Sequence, residues 1–391
     1  DQMNGRIKMP EPVNEVVQAY SIGSVEQKKL LAELSRQESE FVRVPLIING
    51  EEIYTDRKLP IRCPHRHELQ LGEAAVAGEK EIKNAINASL EAKKKWERLS
   101  WRHRAAIFLK IAELISKKYR FLLNAATMLN QSKSAHQAEI DAACELTDFL
   151  RFNIKFTEEI YENQPRAADA TLDYMEYRSL DGFVLAISPF NFTAIAGNLT
   201  TAPAMLGNTV VWKPSSNALL SGYYLMKIFK EAGLPDGVIN FIPTSGSDIS
   251  KHALTHQDLA GIHFTGSTEV FTEIWKQVAE NLQRYKSFPR LVGETGGKNY
   301  ILMDPTAQAD AVVTALIRGG FEYQGQKCSA CSRAYIPQSR WEEIREKLVS
   351  NLASLRVGDV SDFGNFMNGV IDDKSYHKTM AYINRAIRSD D

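Results

Sequence analysis

Residues 183–192 read FVLAISPFNF: five apolar residues, then a serine–proline break and a polar asparagine. This pattern predicts a strand buried on both faces that runs into a loop. The same grammar returns at 209–215 (TVVWKPS), 238–243 (VINFIP) and 261–267 (GIHFTGS), with segments of helical length between, from about Ala218 to Ala232 and from about Glu269. Strands alternating with helices predict βαβ units and a parallel sheet. Gly233-Leu234-Pro235-Asp236-Gly237 reads as a helix stop and a turn. Ligands of open parallel sheets lie beyond the carboxyl ends of the strands. The informative residues should therefore follow Ile187, Trp212, Ile242 and Phe264.

Upstream, Leu46-Ile47-Ile48 followed by Asn49-Gly50 signals a hairpin. From Glu79 to about Glu162 the spacing is helical: Ala105, Ile107, Phe108, Ile111, Leu114 and Ile115 form one pattern, and Ile140, Cys144, Phe149, Phe152 and Phe156 mark another from about Ala135 to Ile160. Thr171–Tyr177 alternates like a strand. Downstream, a strand is expected at Tyr300–Met303, a helix from about Ala309 to Glu322, a strand at Ala334–Ile336 and an amphipathic helix from about Arg340 to Leu355.

The 391 residues, 44% apolar and 24% charged, have the balance of a globular protein able to bury a large core. A net charge of -1 argues against a nucleic-acid footprint or a basic membrane face. Four cysteines (Cys63, Cys144, Cys328, Cys331) are too few for a disulfide framework and point to a reducing compartment. No stretch approaches the roughly 18 apolar residues of a membrane span. The opening residues resemble neither a secretory signal nor an import sequence. A bacterial cytoplasm fits, and a mitochondrial matrix fits equally if a presequence was removed.

Candidate chemistry gathers at the strand ends. Cys328, in Gly325-Gln326-Lys327-Cys328-Ser329-Ala330, is a candidate nucleophile, its thiolate favoured by neighbouring Lys327. Core packing with Cys331 and a C-x-x-C redox pair are the other readings; zinc fails on ligand count. Glu294, ahead of Gly296-Gly297-Lys298, suits a general base or a loop ion pair with Lys298. Asn191 is a neutral donor suited to an oxyanion, or a turn residue. Lys213 could hold a ribose or phosphate, or simply snorkel. Phe264-Thr265-Gly266-Ser267 opens a helix whose amino terminus suits a phosphate.

Taken in order, SPFNF, WKPS, FTGS, ETGGK and GQKCSA between Ser188 and Ala330 resemble the aldehyde dehydrogenase superfamily. QSKSAHQAEIDAACELTDFLRFN (131–153), SPFNFTAIAGN (188–198) and FEYQGQKCSACSR (321–333) are similar to its 1-pyrroline-5-carboxylate dehydrogenases, which oxidise glutamate semialdehyde. Thr193, where many relatives have proline, and Phe271, where many have glycine, also look like that branch.

The resemblance implies an α/β fold with a Rossmann-like parallel-sheet cofactor domain and an incomplete α/β catalytic domain. Its expected parts are 1–170, the amino-terminal part of the cofactor domain; 171–181, a bridging hairpin that pairs with a second subunit; 182–293, the dinucleotide-binding core; and 294–391, the catalytic part. It implies catalytic Cys328, Glu294 and Asn191, acting through a thiohemiacetal and a thioester. NAD contacts are expected from Ser188, Pro189, Lys213, Ser215, Gly266, Ser267, Thr268, Glu269 and Val270. Substrate contacts are expected from Phe192, Glu145, Lys327 and Ser329, with Glu145 receiving the ammonium or lying on a solvated helix face. Ser216 stands where the family usually has an acid, which leaves NADP open. No metal, nucleic acid or membrane is expected, and a homodimer or higher oligomer is. The family continues beyond Asp391, with a glutamate for the nicotinamide ribose, a substrate-anchoring loop and an oligomerisation strand, so a fragment is expected. The rival readings are a dehydrogenase of another semialdehyde, a phosphorylating dehydrogenase disfavoured by Glu294, a silent dinucleotide-binding fragment, and a Cys328–Cys331 redox pair.

Overall fold

The computed structural model describes residues 8–389. Residues 8–20 cross the surface without regular structure and lead to helix α1 (Val25–Ser39), capped by Ser24 Oγ, which accepts from Gln27 N. Strands β1 (Val42–Val44), β4 (Lys58–Cys63) and β5 (Arg66–Ala75) form a small sheet in the order β1-β5-β4, while β2 (Leu46–Ile48) and β3 (Glu51–Ile53) make the expected hairpin. Its turn residues Asn49 and Gly50 have φ of 52° and 76°, as a tight hairpin requires.

Three helices follow: α2 (Glu79–Trp96), α3 (Trp101–Ser116) and α4 (Arg120–Gln131). The long helix expected from about Ala135 is α5 (Ala135–Ala138), a π-helical stretch (Glu139–Glu145) and α6 (Leu146–Glu162) in unbroken succession. Its buried side is Leu146, Leu150 and Ile154, whereas Phe156 and Ile160 are exposed. Phe149, packed against the core, and Phe152 are half-buried, so the aromatic stripe lies at the core's margin and turns outward only at its carboxyl end.

The parallel sheet is β6 (Phe183–Ile187), β7 (Val210–Lys213), β8 (Ile239–Phe241), β9 (Leu259–Thr265) and β10 (Arg290–Glu294). They run in the order β10-β9-β6-β7-β8, with β2 added antiparallel to β8 and β3 outside it. Helices α7 (Thr193–Met205), α8 (Leu219–Ala232), α9 (Gly246–His252) and α10 (Thr268–Glu280) make the crossovers. Fully buried Phe183, Leu185, Val211, Trp212 and Phe241 explain why these strands read as continuous apolar runs. The register aligns Ile187 with Lys213 and Phe264, and Thr265 with Glu294, so four strands end at one edge.

A satellite unit follows: β11 (Asn299–Leu302) paired parallel with β12 (Cys331–Tyr335), and α11 (Ala309–Phe321) packed on α12 (Trp341–Ala353) around Met303, Val313, Ile317 and Ile344. Helix α13 (Asp373–Ile387) returns to the sheet's carboxyl edge, where Asp372 accepts from Asn217 Nδ2.

Residues 171–180 form no ladder with any of the described residues. The Gln164 side-chain amide both donates to and accepts from the Met175 backbone, and Leu172 and Tyr174 stand exposed. The strand-like alternation is thus present without a partner strand among the described residues.

Candidate active site

An open cavity of about 740 Å³ lies between Arg178–Asp181 and Leu282–Arg290 and is lined by no cysteine, histidine or glutamate. The chemistry sits in another, a cleft of about 600 Å³ at the carboxyl edge of the sheet. Ser188, Pro189, Asn191, Lys213, Ser215, Gly266, Ser267, Val270, Lys327 and Cys328 all border it, residues far apart in sequence that the parallel register delivers to one place.

Cys328 is on the loop ahead of β12, partly buried, with its thiol directed at Glu294 Oε1 at 3.6 Å. Glu294 ends β10, and its backbone carbonyl accepts from Gly266 N. The glycines beside it are required by close approach. A Cβ on Gly297 would lie 2.8 Å from the Cys328 carbonyl, and one on Gly293 2.3 Å from the Phe271 ring. That ring, stacked on Phe264 at 5.3 Å, fills the space that the missing Cβ of Gly293 leaves. Asn299 Nδ2 also donates to the Cys328 carbonyl, at 2.6 Å. Asn191, between β6 and α7, donates through Nδ2 to the Gln326 carbonyl at 3.0 Å, while its Oδ1 is buried without a partner. An amide nitrogen carries two hydrogens, so one remains for a ligand oxygen.

Two expectations are corrected by charge placement. Lys327 does not acidify its neighbour: its ammonium pairs with Glu322 at 3.2 Å. The Cys328 thiol is instead pushed upward, first by burial and then by the Glu294 carboxylate beside it. Nor does Lys298 pair with Glu294; its Nζ donates to the Gly297 carbonyl.

Among the expected cofactor residues, Lys213 is the most telling. Its ammonium sits at the cleft with no anionic partner among the described residues, and burial alone draws its pKa down. Next to it opens the amino terminus of α10, whose first N–H groups lack helical acceptors. Ser267 caps that helix by accepting from Val270 N at 3.3 Å. A lone cation, a helix amino terminus and a long open cleft suit a dinucleotide diphosphate with its ribose. Three residues are turned to other work. Ser188 Oγ accepts from Trp212 Nε1 at 2.9 Å, Thr268 Oγ1 accepts from Gly296 N at 3.3 Å, and Glu269 is exposed and does not border the cleft.

The substrate expectations divide. Glu145 ends the π-helical stretch, partly buried; burial first and Asp141 second raise its carboxyl to about 7, against the pull of Lys133 and Lys327. It is thus not a solvated helix acid. Phe192 packs on Lys133, whose Nζ is 3.9 Å from the ring centroid. Ser329 is exposed and does not border the cleft.

The sequence reading missed the support beneath these loops. Tyr323 and Gln324 have φ of 51° and 56°, two non-glycine residues in the left-handed region, followed by Gly325 at 68°. Such strain is held by its surroundings. Tyr323 Oη donates to the Gln131 carbonyl at 2.6 Å, and Gln324 Nε2 donates to the Ser132 carbonyl and the Gly369 carbonyl. Ser375, Lys378 and Thr379 of α13 also border the cleft, and nothing in their local sequence announces it.

Comparison with known proteins agrees with this fold. The profile of the "Aldehyde dehydrogenase family" matches residues 53–390. The chain is 45% identical, over 99% of its own length and 70% of the other, to the mitochondrial delta-1-pyrroline-5-carboxylate dehydrogenase of Dictyostelium discoideum. It is 42% identical to the mouse protein of the same name, over 95% of this chain and 66% of that one. The crystal structure of the Mycobacterium tuberculosis delta-pyrroline-5-carboxylate dehydrogenase bound with NAD superposes with a TM-score of 0.96 at 45% identity, covering 99% of this chain and 73% of that one. The chain thus spans about seven tenths of the length of these relatives, and it belongs to the aldehyde dehydrogenase family.

Proposed function

We propose that this chain carries the nucleophile, base and cofactor cleft of an NAD-dependent dehydrogenase that oxidises L-glutamate 5-semialdehyde, the open form of 1-pyrroline-5-carboxylate, to L-glutamate. The observation that carries the reading is the Cys328 thiol directed at the Glu294 carboxylate at 3.6 Å, with Asn191 bonded to the same loop.

NAD, when bound, supplies the hydride acceptor; Lys213, Ser215, Gly266, Ser267 and Val270 would hold it. The chain's own residues do the rest. Glu294 takes the thiol proton, and Cys328 sulfur bonds to the aldehyde carbon while the carbonyl π pair moves to oxygen. Asn191 Nδ2 and the Cys328 backbone N–H donate to that oxygen. Loss of hydride from the carbon leaves a thioester on Cys328. Glu294, having released its first proton, draws one from water, which attacks the acyl carbon and expels the thiolate. Burial and the nearby carboxylate both disfavour a resting thiolate, so the thiolate forms as its proton moves to Glu294; without that carboxylate the thiol ionises to water more readily, and the last step is the one left without a base.

The substrate's ammonium finds an acceptor in Glu145, and the Lys327 ammonium, once released from Glu322, suits its carboxylate. NAD is preferred by analogy with the NAD-bound relative, and Ser216 at the cleft places no acid against a 2′-phosphate. Exposed Leu172, Tyr174 and Met175 support pairing of 171–181 with a second copy, as in the expected homodimer. Among the described residues no helix is long and apolar enough to cross a membrane, and the names of several relatives support a mitochondrial matrix for a eukaryotic source.

The test is NADH formation from NAD and glutamate semialdehyde, alongside succinate semialdehyde, by this chain and by Cys328→Ala. Activity with the amino-aldehyde that the substitution abolishes supports the reading; equal turnover of the two aldehydes, or activity that survives Cys328→Ala, overturns it.

A further inference from the structure

Lys133 is buried completely, and among the described residues its ammonium has one ion-pair partner, Asp141 Oδ2 at 2.7 Å, with the Glu145 carboxyl acting on it from farther off. A buried cation is costly unless well paired, so what surrounds this one is informative. The Asp141 carboxylate spends its remaining capacity on the first turn of α7: Oδ2 accepts from Thr193 N at 3.0 Å and Oδ1 from Ala194 N at 2.7 Å. Those amides follow Asn191 and Phe192 directly. The ammonium also lies over two rings, Phe192 at 3.9 Å and Tyr323 at 4.7 Å from their centroids. One ring is adjacent to the oxyanion donor in sequence; the other begins the left-handed turn Tyr323–Gly325, which ends three residues before the nucleophile.

Gln131, two residues before Lys133, completes the brace. Its Nε2 donates to the Phe190 carbonyl at 2.7 Å, and its Oε1 accepts from Thr193 and Ser221. The π-helical stretch makes this arrangement possible. Glu139 and Cys144, five apart, share one side, where the thiol meets the carboxylate and both face residues 16–20. Asp141 is turned toward the catalytic loops instead. The extra residue per turn lets one short segment serve two faces.

We propose that Lys133, with Asp141, is a positioning residue of the reaction: an electrostatic strut between Phe192 and Tyr323 that fixes Asn191 relative to Cys328. The inference rests on the function proposed above and adds residues that touch neither substrate nor cofactor. Its consequence is specific. Removing the ammonium loosens the register between donor and nucleophile, so the loss is felt wherever an oxyanion must be stabilised, and it is felt through Asn191.

The experiment needs no turnover. Propanal protects Cys328 from iodoacetamide by reversible addition: sulfur bonds to the carbonyl carbon, the π pair goes to oxygen, and the thiol proton ends on that oxygen. The half-protecting propanal concentration is measured for the chain, Lys133→Met, Asn191→Ala and the double variant, with unfolding midpoints alongside. Asn191→Ala and Lys133→Met should each raise it about fivefold, the worth of one ordinary hydrogen bond to the oxygen of the adduct, and the double variant should raise it no further. Additive losses in the double variant, or an unchanged value for Lys133→Met, overturn the strut while leaving the proposed function standing. No protection in the unsubstituted chain, or none lost in Asn191→Ala, overturns that function and the strut with it. If Lys133→Met does not fold, Asp141→Asn, which keeps an acceptor for α7 but removes the charge partner, is held to the same non-additivity.

Discussion

Replacing Glu145 by glutamine should stabilise this protein in alkaline solution while weakening its grip on an amino-aldehyde. The carboxyl stands at about 7 in the folded chain against an ordinary 4.5, chiefly because burial penalises its ionised form and secondarily because Asp141 is close. At roughly 1.4 kcal/mol per factor of ten, the ionised side chain is held at a cost of about 3 kcal/mol. The folded form binds the proton more tightly than the unfolded one. Stability from this group is therefore fully present below about 4.5 and is lost as pH rises through 7. Between pH 5 and pH 8 the linkage amounts to about 2 kcal/mol, a term that Glu145→Gln removes. Urea midpoints at the two pH values, with slopes compared, measure it: the variant should gain about 2 kcal/mol over the parent on going from pH 5 to pH 8. An equal effect at both values would refute the assignment of a strained carboxyl. A bound ammonium should return the carboxyl toward its ordinary range, so a ligand carrying one should narrow the difference.

Three further outcomes follow from the same reasoning. Glu294→Gln removes the charge 3.6 Å from the thiol; at that distance, near water, the interaction is about 1 kcal/mol, so iodoacetamide should alkylate Cys328 about five times faster at pH 7.5, whereas Lys327→Met, whose cation faces Glu322, should change the rate little. Lys213→Met should weaken NAD binding about tenfold by titration calorimetry, the value of a charge-assisted contact, and unchanged binding would displace the cofactor from this cleft. Arg120→Met strands Glu139, which keeps Tyr20, Asn124 and the Gln18 amide but loses its counter-charge; a loss of about 3 kcal/mol in urea unfolding is expected.

Which parts of this protein are legible from its sequence follows from how local their causes are. The parallel strands announce themselves because burial on both faces demands uninterrupted apolar residues, as at 183–187, and the hairpin at 46–53 because Asn49 and Gly50 must adopt positive φ. Glu294 and Asn191 lie where the sequence pattern puts them, at the ends of parallel strands that the register brings together, while Cys328 reaches the same cleft on the loop ahead of β12. Lys327 misleads, since adjacency in sequence says nothing of Glu322, which captures its ammonium. The π-helical stretch, the left-handed turn at Tyr323 and Gln324, and the buried Lys133 are not legible. Each depends on partners far along the chain: Gln18 and Tyr20 for Glu139, Gln131 for Tyr323, and Phe192, beside nearby Asp141, for Lys133. The segment 171–180 shows the converse, a strand-like pattern whose partner does not lie among the described residues.

In the proposed reaction Cys328 becomes acylated and Glu294 releases the acyl group. Peptide mass spectrometry of Glu294→Gln after incubation with NAD and glutamate semialdehyde distinguishes the two roles. A glutamyl thioester should accumulate on the Cys328 peptide and be cleared by hydroxylamine. An unmodified Cys328 peptide, or an adduct on Cys331 instead, would contradict that reaction.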